Sequence, residues 1–351
     1  MSFLDLYRDY NHEQLLLSQD PSCGYVGIIA VHDTTLGPAL GGTRLWHYDR
    51  LEDALVDALR LSRGMTYKSA VAGLALGGGK SVIVGDPNRR DREALFRSHG
   101  RFVDTLGGRY ITAADVGTSS SDMALIHHET EFVAGLPGSQ GDPSPVTGYG
   151  VYMGMKAAAM AAWGSDSLTG KRVVVQGAGK VAWYLGEHLR KEGAKILVSE
   201  LDEAKLSAFV SEYGAEAVAP ESVYGLPCDV YAPCALGATL NDDTIPRLKA
   251  TVVAGGANNQ LAEPRHAQAL EARKIFYAPD YVVNGGGVIN IYGELQGWSA
   301  ERALAHTGGI YDTVLRVAEL SKRESIPTAD AADRLAEERI RAVAGLRRLA
   351  R

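Results

Sequence analysis

The sequence has few cysteines and no long apolar segment, and each absence removes a class of protein. It contains three cysteines, and Cys23, Cys228 and Cys234 form no Cys-x-x-Cys pair. We therefore predict neither a disulfide framework nor a metal site. No run of about 18 apolar residues is available to span a bilayer, and charges occur within the first nine residues, where a secretory signal needs an apolar core. We expect a cytoplasmic protein without a membrane partner.

Basic clusters are also scarce. The formal net charge is −6, which argues against a nucleic-acid surface. The 40 glycines are scattered among apolar runs, so they indicate turns and close backbone approaches rather than a disordered tract. With 351 residues and 46% hydrophobic content, the chain is long enough for two hydrophobic cores.

Alternating strand and helix patterns fill both halves of the chain. Tyr25–His32 is typical of a strand and Leu51–Met65 has apolar residues at the helical period. The segment from Glu131 to Pro145 is rich in glycine and proline and predicts a domain boundary. Beyond it we predict the strands Arg172–Gln176, Ile196–Glu200, Asp229–Ala232, Thr251–Ala254 and Ile275–Tyr277, and the helices Thr147–Trp163, Val181–Glu192, Asp202–Tyr213, Ser299–Arg323 and Ala329–Leu349.

This order predicts a two-domain α/β fold. An N-terminal α/β domain is expected over residues 1–135, followed by a Rossmann-type domain with a doubly wound parallel sheet over residues 140–326. The C-terminal helix, about residues 327–351, is expected to pack back on the first domain.

A glycine-rich turn follows the strand Arg172–Gln176. Gly177 permits the tight turn, Gly179 lets the backbone approach a pyrophosphate, and Ala182 allows close packing of helix on strand. Glu200 ends the next strand, where a carboxylate accepts hydrogen bonds from the ribose hydroxyls and repels a 2′-phosphate. The pattern therefore predicts a dinucleotide site that prefers NAD to NADP.

Two lysines and one aspartate of the N-terminal half suit amine chemistry. Lys68 lies near the end of the Leu51 helix, Lys80 follows the predicted bend Gly77–Gly79, and Asp115 ends the strand that starts at Tyr110. A desolvated lysine beside another cation has a lowered pKa and can act as a general base near neutral pH. A second lysine can bind a carboxylate, so the set is compatible with oxidative deamination.

Several motifs, in one order from about residue 10 to about residue 340, resemble the amino acid dehydrogenase family of glutamate, leucine, valine and phenylalanine dehydrogenases. The resemblance is greatest to the leucine-type members. The motifs are HDTTLGPALGGTR from His32 to Arg44, RGMTYK from Arg63 to Lys68, GGGK from Gly77 to Lys80, TAADVG from Thr112 to Gly117, APCALG from Ala232 to Gly237, ANNQ from Ala257 to Gln260, and YAPDYVVN from Tyr277 to Asn284.

The resemblance implies a role for each motif. Lys68 would bind the substrate α-carboxylate, Lys80 would activate water, and Asp115 would move protons to and from the amino group. The family fold implies two domains separated by a cleft, and a homo-oligomer between dimer and octamer. Further substrate contacts are implied for Leu40, Gly41, Gly42, Ala113, Val288 and Ile291, and cofactor contacts for Thr147, Gly177, Ala178, Gly179, Lys180, Val181, Ala182, Glu200, Ala235, Asn259 and Asn284.

The substrate follows from the side-chain pocket. Glutamate-specific members have a lysine and a serine where this chain has Leu40 and Ile291, and an unpaired carboxylate buried there would cost several kcal/mol. With Val288 one helical turn before Ile291, the pocket favours L-leucine, and valine and isoleucine overlap with it. Open alternatives are valine or an aromatic amino acid as the main substrate, an NADP-linked hydroxy-acid dehydrogenase, and a non-catalytic NAD sensor. Two departures from the leucine-type pattern, Glu200 for aspartate and Gly285 for alanine, lie at the cofactor site.

Overall fold

The computed structural model describes residues 3–138 and 141–349, which form two compact units. Within them, the first unit comprises the residues up to Gly141, Glu294–Gly297 and the residues from Ala336 onward. The second comprises Asp142–Gly293 and Trp298–Leu335. The outer ends of the predicted domains, at residues 1 and 351, and residues 139 and 140 at the predicted boundary lie outside the described residues.

A mixed five-stranded sheet with helices forms the first unit, in the strand order β1-β2-β4-β3-β5. Strand β2 runs antiparallel to both β1 and β4, whereas β3 runs parallel to both β4 and β5. The elements are α1 (Phe3–Asp9), β1 (Gln14–Asp20), β2 (Tyr25–Asp33), β3 (Ala39–Trp46), α2 (Leu51–Val71), β4 (Gly77–Val84), α3 (Glu93–Asp104), β5 (Tyr110–Ala114) and α4 (Ser120–His127).

The predicted helix from Leu51 is confirmed and extends to Val71. Its periodic residues Ala54, Leu55, Ala58 and Leu59 are buried and pack in one hydrophobic cluster with Ile28 and Val82 of the sheet. The apolar stripe thus fixes which face of α2 meets the sheet.

One prediction for this unit is wrong: Gly77–Gly79 is not a bend but the first part of the buried strand β4. The glycines are needed for close packing, because a Cβ on Gly78 would lie 2.1 Å from the backbone nitrogen of Thr66 in α2. Strands β1 and β3 were not predicted from the sequence. The glycine pair within β3 interrupts the alternation of apolar and polar side chains by which a strand is recognised in a sequence.

The second unit contains a six-stranded sheet in which every paired strand is parallel. Its order, β11-β10-β9-β6-β7-β8, is that of dinucleotide-binding domains, and the predicted Rossmann-type fold is confirmed. The elements are α5 (Ser144–Trp163), β6 (Arg172–Gln176), α6 (Lys180–Glu192), β7 (Lys195–Ser199), α7 (Glu203–Tyr213), β8 (Glu216–Ala217), β9 (Val230–Pro233), β10 (Val252–Val253), α8 (His266–Ala272), β11 (Phe276–Tyr277), α9 (Asp280–Val283) and α10 (Gly286–Leu295).

Three more helices complete the described chain, α11 (Ala300–Gly308), α12 (Ile310–Glu324) and α13 (Thr328–Leu349). The predicted single helix Ser299–Arg323 is therefore wrong: the chain turns at Gly309, between α11 and α12. Among the described residues, no helix combines the length and the apolar character needed to cross a membrane.

Candidate functional site

Three neighbouring parallel strands of the first unit carry the glycine pair and two of the three predicted catalytic residues. Gly41 and Gly42 lie in β3, Lys80 lies in β4, and Asp115 directly follows β5. Because β3 pairs with both β4 and β5, these positions meet at one place on the sheet. Gly42 packs against the aspartate so closely that an added Cβ would lie 2.7 Å from the Asp115 Cβ.

Lys80, which is buried, and Asp115, which is partly buried, form an ion pair. The Lys80 Nζ donates to the Asp115 Oδ2 at 2.5 Å, and only 6% of the lysine side chain is exposed. Burial lowers the pKa of Lys80 below that of an ordinary lysine, although Asp115 acts in the opposite direction. For Asp115, burial favours a higher pKa, but Lys80 and Arg44 outweigh it and lower the pKa. The pair therefore combines an ionised carboxylate with an amine that releases its proton more readily than usual.

Sequence reasoning missed a second cation at this carboxylate. The Arg44 Nε donates to the Asp115 Oδ2 at 3.1 Å, and the Arg44 Nη1 donates to the Asp57 Oδ2 at 2.7 Å. The Tyr48 hydroxyl donates to the same Asp57 oxygen at 2.6 Å. Arg44 ends a motif quoted above, but no local pattern joins it to Asp115, 71 residues away.

Buried hydroxyl groups next to the glycine pair form a hydrogen-bond network that joins β3, β4 and β5. The Tyr110 hydroxyl donates to the Gly41 carbonyl at 2.6 Å and to the Ser81 hydroxyl at 3.1 Å. The His99 Nε2 lies 3.0 Å from the Thr43 hydroxyl and 3.1 Å from that of Ser81. Burial lowers the pKa of His99 to about 3, so this histidine is neutral and holds the strands through hydrogen bonds rather than charge.

Lys68 lies in the last turn of α2 and is partly buried. The Arg339 guanidinium binds carbonyls at the end of this helix and just beyond it: it donates to Ala70 at 2.7 Å and Ser69 at 3.2 Å within α2, and to Leu74 at 2.8 Å after it. Since terminal helix carbonyls have no partner within the helix, this arginine caps the segment that carries Lys68. Residues of α13 thus complete the first unit.

The predicted substrate-contact residues divide between the two units. Leu40 of β3 and Ala113 of β5 are buried beside the glycine pair, and Ala113 pairs in register with Gly42. Val288 and Ile291 lie in α10, the first buried and the second partly buried. Their roles in binding substrate stay predictions.

In the second unit, the glycine-rich turn joins β6 to α6. Gly177 has a φ of +96° and packs against Ala235, whose Cβ would lie 2.8 Å from an added Cβ. An added Cβ on Gly179 would meet nothing within 4 Å, and α6 begins at Lys180 without a side-chain cap. Open space in front of uncapped helix N–H groups suits a phosphate. Ala182 is buried as predicted, Val181 packs near Gly256, and the Lys180 Nζ binds Asp142 at 2.9 Å.

Glu200 follows β7 and binds the backbone of the turn. Its Oε2 accepts from the Ala178 nitrogen at 2.8 Å, and its Oε1 accepts from the nitrogens of Leu201 at 2.7 Å and Asp202 at 3.1 Å. Partial burial alone favours a higher pKa for Glu200, but these hydrogen bonds outweigh it and lower the pKa. The carboxylate is therefore ionised and fixed beside the turn.

Two of the other predicted cofactor residues lie close to the start of α10. Asn284 is buried, its Nδ2 donates to the Asn258 Oδ1 at 2.8 Å, and its own Oδ1 has no hydrogen-bond partner in the described chain. Thr147 is buried in α5, with its hydroxyl 3.3 Å from an added Cβ on Gly287. Asn259 is exposed, with a φ of +52°. An unpaired buried acceptor such as the Asn284 Oδ1 suits an amide donor from a ligand.

Comparison with known proteins gives matches over nearly the whole chain. The family model "Glu/Leu/Phe/Val dehydrogenase, dimerisation domain" matches residues 12–132, and "Glutamate/Leucine/Phenylalanine/Valine dehydrogenase" matches residues 138–202 and 197–344. Leucine dehydrogenase of Bacillus cereus is 57% identical over 343 residues, 97% of this chain and 94% of the relative. L-tryptophan dehydrogenase of Nostoc punctiforme is 46% identical over 341 residues, 97% of this chain and 96% of the relative.

Solved structures agree with the sequence matches. The crystal structure of L-tryptophan dehydrogenase from Nostoc punctiforme aligns with a TM-score of 0.88 at 44% identity, covering 97% of this chain and 99% of that one. The hetero-hexameric glutamate dehydrogenase from Thermus thermophilus, in its Leu-bound form, aligns with a TM-score of 0.78 at 25% identity, covering 98% and 96%.

Proposed function

The chain belongs to the glutamate, leucine, phenylalanine and valine dehydrogenase family, and from this premise we propose that it oxidises L-leucine with NAD. It is an amino acid dehydrogenase. The proposed reaction converts an L-amino acid, NAD⁺ and water to the 2-oxo acid, ammonium, NADH and a proton. The observation that carries the proposal is the pair formed by the buried Lys80 and the partly buried Asp115, which a protein that merely bound NAD would not need.

The residues of the first unit perform the proton transfers. We assign Lys68 to the substrate α-carboxylate and Lys80, as the neutral amine, to the proton of the water that attacks the imine carbon. Asp115 receives a proton from the substrate ammonium and returns one to the departing ammonia. The lowered pKa of Lys80 increases the fraction of neutral amine at a given pH, and its burial keeps bulk water from competing for the proton.

The second unit fits a nicotinamide dinucleotide. When bound, NAD supplies the hydride acceptor for the substrate Cα hydrogen. We assign the pyrophosphate to the open space at Gly179 and the N-terminus of α6, the adenosine ribose to Glu200, and the carboxamide to the unpaired Asn284 Oδ1. Thr147, Ala235 and Asn259 are assigned to the same site on the resemblance.

The substrate proposal predicts the outcome of a kinetic panel. With purified protein and NAD, kcat/KM should be highest for L-leucine and roughly 5- to 10-fold lower for valine and isoleucine, since a mismatch of one methylene or one branch point costs about 1 kcal/mol at the lower end of its usual range. Glutamate should be at least about 100-fold poorer, because an apolar pocket leaves its carboxylate unpaired. NADH formation at 340 nm measures each rate. Since L-tryptophan dehydrogenase is among the relatives, a higher value for tryptophan or phenylalanine would replace leucine as the proposed substrate.

Glu200 predicts the cofactor preference. Wild-type protein should prefer NAD, and Glu200→Gln should raise the NADP-to-NAD ratio of kcat/KM by about tenfold, because it removes the charge that repels a 2′-phosphate. The amide retains an oxygen that can accept from Ala178. Glu271→Gln, on the exposed side of α8, removes the same charge elsewhere and should leave the ratio unchanged. An unaltered ratio in the Glu200 variant would remove this residue from cofactor choice.

We also propose a homo-oligomer between dimer and octamer. The matching family model is a dimerisation domain, and β1 is an edge strand whose Leu17 is 54% exposed. An edge of this kind offers unpaired backbone groups and apolar surface to a second copy.

A further inference from the structure

Asp115 accepts hydrogen bonds from two cations through one oxygen, and only one of them belongs to the proposed reaction. We propose that Arg44 is a positioning residue that binds Asp115 in competition with Lys80 and thereby favours the neutral lysine. The proposal rests on the proposed function, in which Lys80 acts as the base. It goes further by assigning the proton affinity of that base to a residue that need not touch the substrate.

The geometry makes the two donors competitors. Both the Lys80 Nζ, at 2.5 Å, and the Arg44 Nε, at 3.1 Å, are directed at the Asp115 Oδ2. A carboxylate that is already compensated by a guanidinium stabilises a neighbouring ammonium less than a carboxylate that has no other partner. Arginine retains its charge at every pH at which proteins are folded, so this compensation persists when Lys80 loses its proton.

A second carboxylate holds Arg44 in place. The Arg44 Nη1 binds Asp57 of α2 at 2.7 Å, and Asp57 also accepts from the Tyr48 hydroxyl. Only 22% of the Arg44 side chain is exposed. The guanidinium fork therefore joins two carboxylates, one at the candidate site and one on α2, and a lysine ammonium could not reproduce this planar arrangement.

The electrostatics of the surrounding elements agree with the geometry. Burial is the largest cause of the lowered pKa of Lys80, Asp115 opposes it, Arg44 adds a smaller lowering and Asp57 a smaller rise. Other titratable groups on the elements that pack around Lys80 have hydrogen-bond or electrostatic partners of their own. Tyr110 of β5 binds Gly41 and Ser81, His32 of β2 binds Thr66 and the Tyr10 carbonyl, and Lys68 lies in the last turn of α2.

The sign of the effect follows from these charges. Without Arg44, Lys80 is the one cation of this set that still binds Asp115, and the positive charge that repels the Lys80 ammonium is gone. The pKa of Lys80 should therefore rise. Removing the charge of Asp57 leaves Arg44 less compensated, so the pKa of Lys80 should fall. Since oxidative deamination needs the neutral amine, the acid limb of kcat/KM should move to higher pH in the first case and to lower pH in the second.

The experiment compares pH profiles of oxidative deamination of L-leucine for the full chain. Arg44→Gln should move the midpoint of the acid limb upward by about one pH unit. Arg44→Lys keeps the charge and should move it by less than half as much. Arg97→Gln is the matched control, because the partly exposed Arg97 is paired with Glu129 at 2.6 Å and its loss changes the net charge equally. It should not move the limb.

Asp57→Asn supplies a variant with the opposite sign and also serves if Arg44→Gln does not fold. Its acid limb should move downward. A merely structural role of the Arg44–Asp57 pair would lower kcat in both variants at every pH and would leave both midpoints in place. That result, in folded protein, would overturn the proposal.

A second measurement separates this proposal from the proposed function. Competitive acetylation of amines between about pH 6 and pH 11, read by peptide mass spectrometry, gives the pKa of Lys80 without any turnover. If Lys80 titrates higher in Arg44→Gln but the wild-type activity has no acid limb, the lysine base is wrong and the Arg44 assignment stands. If the limb exists but the Lys80 titration is the same in both proteins, the Arg44 assignment is wrong.

Discussion

Lys80→Ala should lower kcat for oxidative deamination by about 10³-fold, because the variant lacks the amine that receives the proton of the attacking water. NADH affinity should stay within about twofold of wild type, since the glycine-rich turn belongs to the second unit and Lys80 to the first. Stopped-flow or steady-state absorbance gives the rate, and NADH fluorescence titration gives the affinity.

Two further variants show whether a folding defect, rather than the missing amine, causes the loss of activity. In Lys80→Ala, Asp115 keeps Arg44 as a partner, but the shorter side chain leaves a cavity at a buried position. Lys80→Gln keeps a hydrogen-bond donor for Asp115 and should be equally inactive, whereas Lys249→Ala at an exposed position should keep full activity. Turnover of the alanine variant at the wild-type rate would remove Lys80 from the mechanism.

Gly41→Ala should unfold or severely destabilise the first unit. An added Cβ would lie 1.7 Å from the carbonyl oxygen of Gly79 on the neighbouring strand, and backbone cannot move aside as a flexible side chain can. Separating β3 from β4 would also displace Lys80. We expect a loss of about 3 kcal/mol or more in the free energy of unfolding, which corresponds to a fall in Tm of roughly 6–12 °C.

The matched control is another glycine-to-alanine change in the same unit. Gly64 lies on the exposed side of α2, and an added Cβ there would meet nothing within 4 Å. Because alanine is the better helix former, Gly64→Ala should raise stability by about 0.5–1 kcal/mol. Differential scanning calorimetry of both variants measures the contrast. Equal Tm values for Gly41→Ala and wild type would contradict the close packing of β3 and β4.

The glycine-rich turn between β6 and α6 could be predicted from the sequence because its parts are local. Gly177, Gly179 and Ala182 fall within six residues between a buried strand and a helix, and Glu200 follows at the end of the next strand. Each position meets a backbone requirement of a single βα unit, so the spacing alone carries the information. The parallel sheet of the second unit follows from the same regular alternation.

The environment of Asp115 could not be predicted in this way. Arg44, Asp57 and Asp115 come from three separate elements, and only the pairing of β3 with β5 and the packing of α2 bring them together. Reading Gly77–Gly79 as a bend was wrong for a related reason. Glycine marks a close approach in a strand as well as a turn, and the partner, Thr66 in α2, becomes visible only in the fold.

The return of α13 to the first unit affects how the chain folds during its synthesis. The carbonyl of Leu74 and the guanidinium of Arg339 that binds it are separated by 265 residues. At about 5–20 residues per second, a ribosome would expose the end of α2 for roughly 10–50 s before its partner emerges. Throughout that interval the segment carrying Lys68 lacks its contact with Arg339, so a nascent chain can collapse early but completes this part of the first unit only after residue 339 has been added.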